Sequence, residues 1–412
     1  MTPIMTHAKN GTMPGRAANG RGGFIFMADK IRYVPSTPAL SPGYLLQGPR
    51  GGSLPFPLCA ENGLFFYRAR IGIYQLFRAL SLKADDLVLV PDYHSGGEVG
   101  AIQGAGANIH YYPIRRNLDP DFESLERLCR TLRPRVLFII HYLGWPQKIS
   151  ELMRLCREYG MLLIEDCALS MFAQASGKYV GMHGDYAIFC LYKTLPVPNG
   201  GILIQNGPLR NELANLELRH CGLRPIVGRS TDLFLEWFRS RFNRAGAAAA
   251  WAKAVGGEFL STLGVEPVPI GNVGFEAAHL DLGMSSFSRG LLKRFDYVRI
   301  LESRRNNYQY LHERLAGHVT LLDKEMTPEV CPLYFPILVE NKASAAKALR
   351  KRGISAIEFW NYGAPGAAEH ENPDVRFLRR HVLELPVHQD LDPGQLDYMV
   401  KEIKKVVARL AN

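Results

Sequence analysis

The sequence predicts an α/β protein: a three-layer α/β/α large domain with a mainly parallel sheet, followed by a smaller C-terminal α+β domain. Two observations carry this. Between Leu87 and Asp166, short apolar runs of strand length are each succeeded by a helical pattern, and strands buried on both faces that alternate with helices are the signature of parallel βαβ units. After a long charged helical stretch at 291–315 the order changes to strand, helix, strand, helix, as in a small α+β unit.

Length and composition agree. At 412 residues and 47% hydrophobic content, the chain can bury a substantial core, and at roughly 100–200 residues per domain it divides into two. The expected divisions are a flexible N-terminal extension at 1–50, a large domain at 51–295 and a small domain at 296–412. No apolar run approaches the roughly 20 residues of a membrane span. The N-terminal basic residues Lys9, Arg16 and Arg21 precede only GFIFMA, shorter than a secretory apolar core, so the expected location is cytoplasmic. The seven cysteines are scattered without a C-x-x-C pair or a His at ligand spacing; free thiols and no metal site are expected. The net charge of +10 is dispersed, its basic clusters not interleaved with aromatic residues. That pattern argues against a nucleic-acid platform and suits an anionic small substrate.

Taken in order, residues 1–50 are rich in Gly, Pro, Ala and Arg, and Met27 is a second plausible start of translation. From Phe65, apolar residues at Ile71, Tyr74, Leu76, Phe77 and Leu80 have helical spacing. The strands that follow are LVLVP, NIHYYPI, RVLFIIHY and MLLIED, and Asp119 and Asp121 offer N-caps for the helix after the second. Residues 208–270 read as helical, ending in the loose stretch VEPVPIGNVG. A solvated helix spans Leu291–Leu315, LYFPILVE is a strand, the next helix closes at Gly353, and QLDYMVKEIKKVVARL is a last amphipathic helix.

Active-site residues of such sheets lie at the carboxyl ends of strands. His94 follows the first strand, His141 ends the third, Asp166 ends the fourth, and Cys190 ends DYAIFC just before Lys193. Any one of these residues taken singly is more often structural; their convergence on one edge points to chemistry. Pyridoxal phosphate asks a protein for a lysine to form a Schiff base, an acid for the pyridine nitrogen, a flat group over the ring and donors for the phosphate. Lys193, in the apolar context CLYKTLPVP, supplies an amine whose desolvation favours the nucleophilic form. Asp166 supplies a buried carboxylate in want of a cation; a helix N-cap is the equal alternative at this position. No G-x-G-x-x-G follows a strand in a βαβ unit, which disfavours a dinucleotide-binding enzyme.

From about Leu64 to the C-terminus, some 350 residues, the chain resembles the DegT/DnrJ/EryC1/StrS family of pyridoxal phosphate enzymes, mostly sugar-nucleotide aminotransferases of the aspartate aminotransferase fold. The resemblance rests on GAGANIHYYPI, on HYLGWPQKISELMRLCREYGMLLIEDCA, on GKYVGMHGDYAIFCLYKTLPVPNGG, on RRNNYQYL and on LELPVHQDL. It implies that Lys193 forms the Schiff base and that Asp166 pairs with the pyridine nitrogen. Tyr93 and His94 are the candidates to stack on the ring, and Ser95 falls where some members have Trp. The turn Arg70-Ile71-Gly72 matches the family's phosphate loop at a helix N-terminus, where N–H groups and the dipole favour an anion. His141 and Cys190 complete the expected cofactor-binding set.

Three departures stand out. Leu169 occupies the place of a Gln or His that reaches the cofactor hydroxyl, Cys190 replaces a phosphate-binding Ser, and two residues are missing between Cys190 and Lys193. The resemblance implies a transaminase that takes an amino group from an amino acid, glutamate by preference, to a nucleotide-linked keto sugar, with Lys193 moving the proton. Presence of Lys193 disfavours the family's dehydratase branch, associated with His at that position. The alternative is a divergent, non-catalytic cofactor-binding or regulatory protein. A homodimer is expected, since two chains of this fold usually complete each other's sites.

Overall fold

A computed structural model describes residues 31–207, 209–261, 279–364 and 372–410. The chain separates into two units, Met1–Ile31 and Arg32–Asn412. The first unit lies outside the described residues except for Ile31, which is exposed. The VEPVPIGNVG stretch and Met27 also lie outside them.

In the second unit α1 (Pro42–Leu46) precedes β1 (Gly63–Phe66), α2 (Ala69–Leu80), β2 (Leu87–Pro91), α3 (Gly97–Gly104), β3 (Asn108–Tyr112), α4 (Phe122–Leu132), β4 (Val136–Ile140), α5 (Ile149–Tyr159) and β5 (Leu162–Asp166). A short hairpin of β6 (Gln174–Ala175) and β7 (Lys178–Tyr179) leads to β8 (Tyr186–Cys190), α6 (Leu191–Thr194), β9 (Gly201–Gln205) and α7 (Asn211–Ala214). Then come α8 (Leu223–Ser261), α9 (Ser286–Leu292), α10 (Tyr297–Leu315), β10 (Thr320–Leu321) and β11 (Tyr334–Leu338). The chain ends with α11 (Lys342–Lys351), β12 (Ile357–Glu358), α12 (Pro373–His381), β13 (Val382–Pro386) and α13 (Pro393–Leu410). No helix among the described residues is long and apolar enough to cross a membrane.

The large sheet has seven strands in the order β1-β9-β8-β5-β4-β2-β3. Pairings among β2, β3, β4, β5 and β8 are parallel, while β9 runs antiparallel to both its neighbours, β8 and β1. Every residue of β4 and β8 is buried, as continuous apolar runs require of strands covered on both faces. The expected mainly parallel α/β sheet and the smaller antiparallel sheet, ordered β10-β11-β13-β12, are both present. Parallel pairing sets the ends of β2, β5 and β8 along one edge, which is where Asp166 and Cys190 finish their strands.

Local chemistry explains the element ends. Asp121 accepts the Ser124 N–H at 3.2 Å and so caps α4 as expected. The continuous helix expected over 291–315 is broken. Asp296 turns its carboxylate onto the Arg299 N–H at 3.1 Å and starts α10 afresh after α9, because a short acid that caps a new helix competes with continuing the old one. Residues 32–50 also depart from the expected flexible lead-in. Val34 is fully buried and pairs with Ile354, and the Ala39 N–H donates to Asp390 at 2.9 Å. A few apolar residues suffice to tie such a segment down, and a compositional reading passes over them.

Candidate active site

The Gly-Gly pair after Lys193 has a steric reason. A Cβ on Gly201 would stand 2.3 Å from the Ala69 backbone nitrogen, so only glycine lets β9 pass under the first turn of α2. The start of α2 is thereby pressed against the strand edge that carries Asp166 and Lys193. Asn199 secures the loop on the other side, donating to Ser285 Oγ at 3.1 Å and accepting the Ser285 N–H at 3.0 Å. The carbonyl of Thr194 accepts from the buried Arg304 and from Gln389, each at 3.2 Å. Arg304 of α10 and Gln389 of the loop after β13 thus fix the short helix α6 that presents Lys193.

These elements enclose a cavity of about 410 Å³. Lys193, Asp166, Cys190, Ser95 and Arg70 line it, together with Leu169. Lys193 is half-buried and Asp166 is buried. Asp166 accepts one backbone hydrogen bond, from Ala168 at 2.8 Å. Burial, reinforced by the nearby Glu98 carboxylate, pushes its pKa up to about 7, although Lys193 pulls the other way. Burial likewise pushes the Cys190 thiol up, partly offset by Lys193. A larger cavity of about 500 Å³ beside His220 and Phe287 has no acid and no lysine among the described residues of its lining, so the smaller one is where acid, amine and helix terminus meet.

The structure brings together five of the expected site residues and leaves the others apart. Ile71 is buried in the core, and a Cβ on Gly72 would meet Phe66; both lie in α2 behind its first residues. Tyr93 is fully buried against Tyr142 and Trp360 and does not line the cavity. His94 stacks on Tyr111 with ring centroids 5.4 Å apart, away from the cavity. His141 binds Glu165 through Nε2 at 3.0 Å while its Nδ1 accepts the Gln147 N–H at 2.9 Å. Acceptance at Nδ1 puts the ring proton on Nε2, which donates to Glu165. Among the described residues His141, Glu165 and Cys167 lie close enough to share a metal, but the His141 nitrogens and the Glu165 oxygens are already engaged by these and by backbone N–H groups.

Sequence reasoning missed several lining residues. Glu98 stands in the first turn of α3; Glu358, Phe359 and Trp360 come from β12 and its exit, and Glu384 from β13. Phe359 and Trp360 stack with centroids 4.3 Å apart. Two signals were available: the aromatic pair in IEFWNY, and an acid in the middle of the apolar strand VLELP. Chemically, the cavity offers an amine for a carbonyl group, a buried acid for a cation, and the N–H groups at the start of α2 for an anion.

Comparison with known proteins places this stretch. A family model described as the DegT/DnrJ/EryC1/StrS aminotransferase family matches residues 71–248, which include Asp166 and Lys193. The chain is 24% identical over 368 residues to a dTDP-4-dehydro-2,3,6-trideoxy-D-glucose 4-aminotransferase of Saccharopolyspora spinosa, covering 84% of this chain and 85% of the relative. It is 28% identical over 142 residues to a GDP-perosamine synthase of Vibrio cholerae; that match takes in 34% of this chain and only 38% of the relative's length. In fold it is similar to an aminotransferase of Helicobacter pylori involved in the biosynthesis of pseudoaminic acid, with a TM-score of 0.62 at 14% identity, covering 92% of this chain and 100% of that one. Acid, lysine and parallel strands therefore fall within the one stretch, residues 71–248, that is similar to the DegT/DnrJ/EryC1/StrS aminotransferase family.

Proposed function

We propose that the protein is a pyridoxal phosphate-dependent aminotransferase that moves an amino group from an amino acid, glutamate by preference, to a keto sugar linked to a nucleotide. The observation that carries this reading is the meeting of Lys193 and Asp166 on one cavity beside the start of α2. The residues fit the cofactor. Asp166 is a buried acid that burial holds partly protonated, and a pyridinium is the cation that would stabilise its charged form. The cofactor would supply an electron sink for the carbon that loses its proton.

Each side chain then has a task. Asp166 keeps a negative charge opposite the ring nitrogen. The Lys193 amine would hold the cofactor and would serve as the group that accepts and returns a proton. Ala69 and Arg70, at the start of α2, present backbone N–H groups and the positive end of the helix dipole to the phosphate. Trp360 and Leu169 present apolar surface to the same cavity and keep water from it. Nucleotide-sugar relatives support the acceptor class, and the same reading expects a homodimer in the cytoplasm.

Leu169 and Cys190 favour a second reading, because both line the cavity where the resembling family places polar groups. That reading is a cofactor-binding regulatory protein without turnover. Purified protein separates the two. An aminotransferase shows the visible absorbance of lysine-bound cofactor and loses it on adding glutamate; a binding module keeps it with every amino acid tried. Lys193→Ala abolishes the band while circular dichroism stays that of the folded protein, and an unchanged band in this variant would refute the role of Lys193.

A further inference from the structure

Among the described residues four carboxyl side chains line the Lys193 cavity: Glu98, Asp166, Glu358 and Glu384. Three have hydrogen-bond partners. Glu98 accepts the Ser95 N–H at 2.7 Å and the Ser95 hydroxyl, Asp166 accepts the Ala168 N–H, and Glu358 accepts from Arg350 and Asn361. Glu384 differs. It is 1% exposed, in the middle of a strand whose other residues are all apolar and buried, and its Oε1 has no hydrogen-bond partner among the described residues. A buried acceptor left without a partner is unfavourable, so a group held in this condition at a cavity wall calls for a partner within the cavity.

The cationic groups around it narrow the choice. Lys342, on α11, is buried outside the cavity lining and gives two of its N–H groups to the carbonyls of Phe359, at 2.8 Å, and of Arg379. Arg70 stands at the start of α2, beside the expected phosphate position. Lys193 remains, on the same cavity wall system as Glu384. We propose that Glu384 is the proton partner of Lys193, its carboxylate accepting the proton that the Lys193 ammonium gives up and returning it when the amine is next charged. The transfer moves one proton between Nζ and the carboxyl, with no other bond made or broken. Glu384 acts through Lys193 and is thus a positioning residue; the proposal rests on the catalytic assignment of Lys193 above.

Burial pushes the Glu384 carboxyl well above the ordinary range, with Lys193 and Lys342 acting against it, so its charge follows that of its neighbours. The Tyr334 phenol shares the cavity and is pushed up by burial and by Glu384. Asp166 is another acid beside Lys193, and it defines the control below.

The test is competitive acetylation of the full-length, cofactor-free protein across pH, read by mass spectrometry at Lys193 and Lys342 in one experiment. Glu384→Gln is expected to lower the labelling midpoint of Lys193 by on the order of one pH unit, since a nearby carboxylate favours the ammonium form. Glu384→Asp, which keeps the charge, returns the midpoint most of the way to that of the unaltered chain. A Lys193 midpoint unchanged in Glu384→Gln, while Asp166→Asn shifts it, overturns the proposal, as does a shift confined to Lys342. Glu384→Ser carries the same expectation and serves where Gln fails to give a folded protein by circular dichroism. Failure of the unaltered chain to bind pyridoxal phosphate would refute the aminotransferase reading and leave this labelling result standing.

Discussion

Glu165 and Asp166 are neighbours on β5, and strand alternation sends their side chains to opposite faces of the sheet. Glu165 accepts from His141 at 3.0 Å and from the N–H groups of Gly181, His183 and Gly184 at 2.8, 2.9 and 2.6 Å. Burial alone would raise its pKa, but these donors outweigh it and hold the carboxyl below its usual range. Asp166, with one backbone donor, is pushed up to about 7. Two adjacent buried acids thus have opposite fates. The one with a full set of donors fixes the β6–β7 hairpin region to the sheet; the one left short of partners faces the cavity, ready for a ligand's positive charge.

The largest effect expected from this contrast is in stability. Glu165→Ala leaves His141 and three backbone N–H groups without their acceptor, and is expected to cost on the order of 3–5 kcal/mol in urea unfolding. Asp166→Asn removes a charge that burial disfavours, so the cofactor-free protein should unfold at the same urea concentration or a higher one. Its transaminase turnover should fall by about 10²–10³-fold, the scale for losing one electrostatic stabiliser. Equal destabilisation by the two variants would break the comparison.

A smaller effect follows from pH. Asp166 has a raised folded-state pKa, so the stability tied to its neutral form is fully present below the unfolded value of a carboxyl and is lost as pH rises through about 7. Glu165 has a lowered pKa, and its contribution is present above the unfolded value and lost only in acid. Between pH 6 and 8 the cofactor-free protein should therefore lose roughly 1–2 kcal/mol that Asp166→Asn does not lose. Paired denaturant titrations at the two pH values measure it; parallel losses in both proteins would assign the slope to other groups.

How far the sequence showed this division depends on the distance each signal has to travel. Asp166 and Lys193 were legible because strand-end position and an apolar context are local properties of β5 and β8. Tyr93 and His94 were not placed, because the strand-end rule names an edge and says nothing of direction. Direction is set by packing: Trp360, from far along the chain, takes the Tyr93 ring into the core at a centroid distance of 5.2 Å, and Tyr111 takes His94. Glu384 and Trp360 reach the cavity only because the small sheet docks beside the large one, a contact between segments whose local patterns are unrelated. His141, expected among the cofactor-binding residues, lies outside the cavity lining, and its partner Glu165 makes it part of the satisfied side of β5.

The smallest effect concerns Cys190, the last residue of β8, buried and on the cavity wall. With its pKa raised by burial the thiol remains protonated, and an S–H is a weak donor beside a hydroxyl. If this position faces the cofactor's phosphate, as the resembling family's Ser does, Cys190→Ser adds one good donor to those at the start of α2. Such a hydrogen bond is worth about 1 kcal/mol net, or roughly fivefold in the dissociation constant of pyridoxal phosphate, measurable by titrating cofactor-free protein. Unchanged or weakened binding would mean that the α2 terminus holds the phosphate without help from β8. In that case Cys190 belongs with Glu165, among the groups whose role is to pack the sheet, and the boundary between the two faces of the site runs between Cys190 and Lys193.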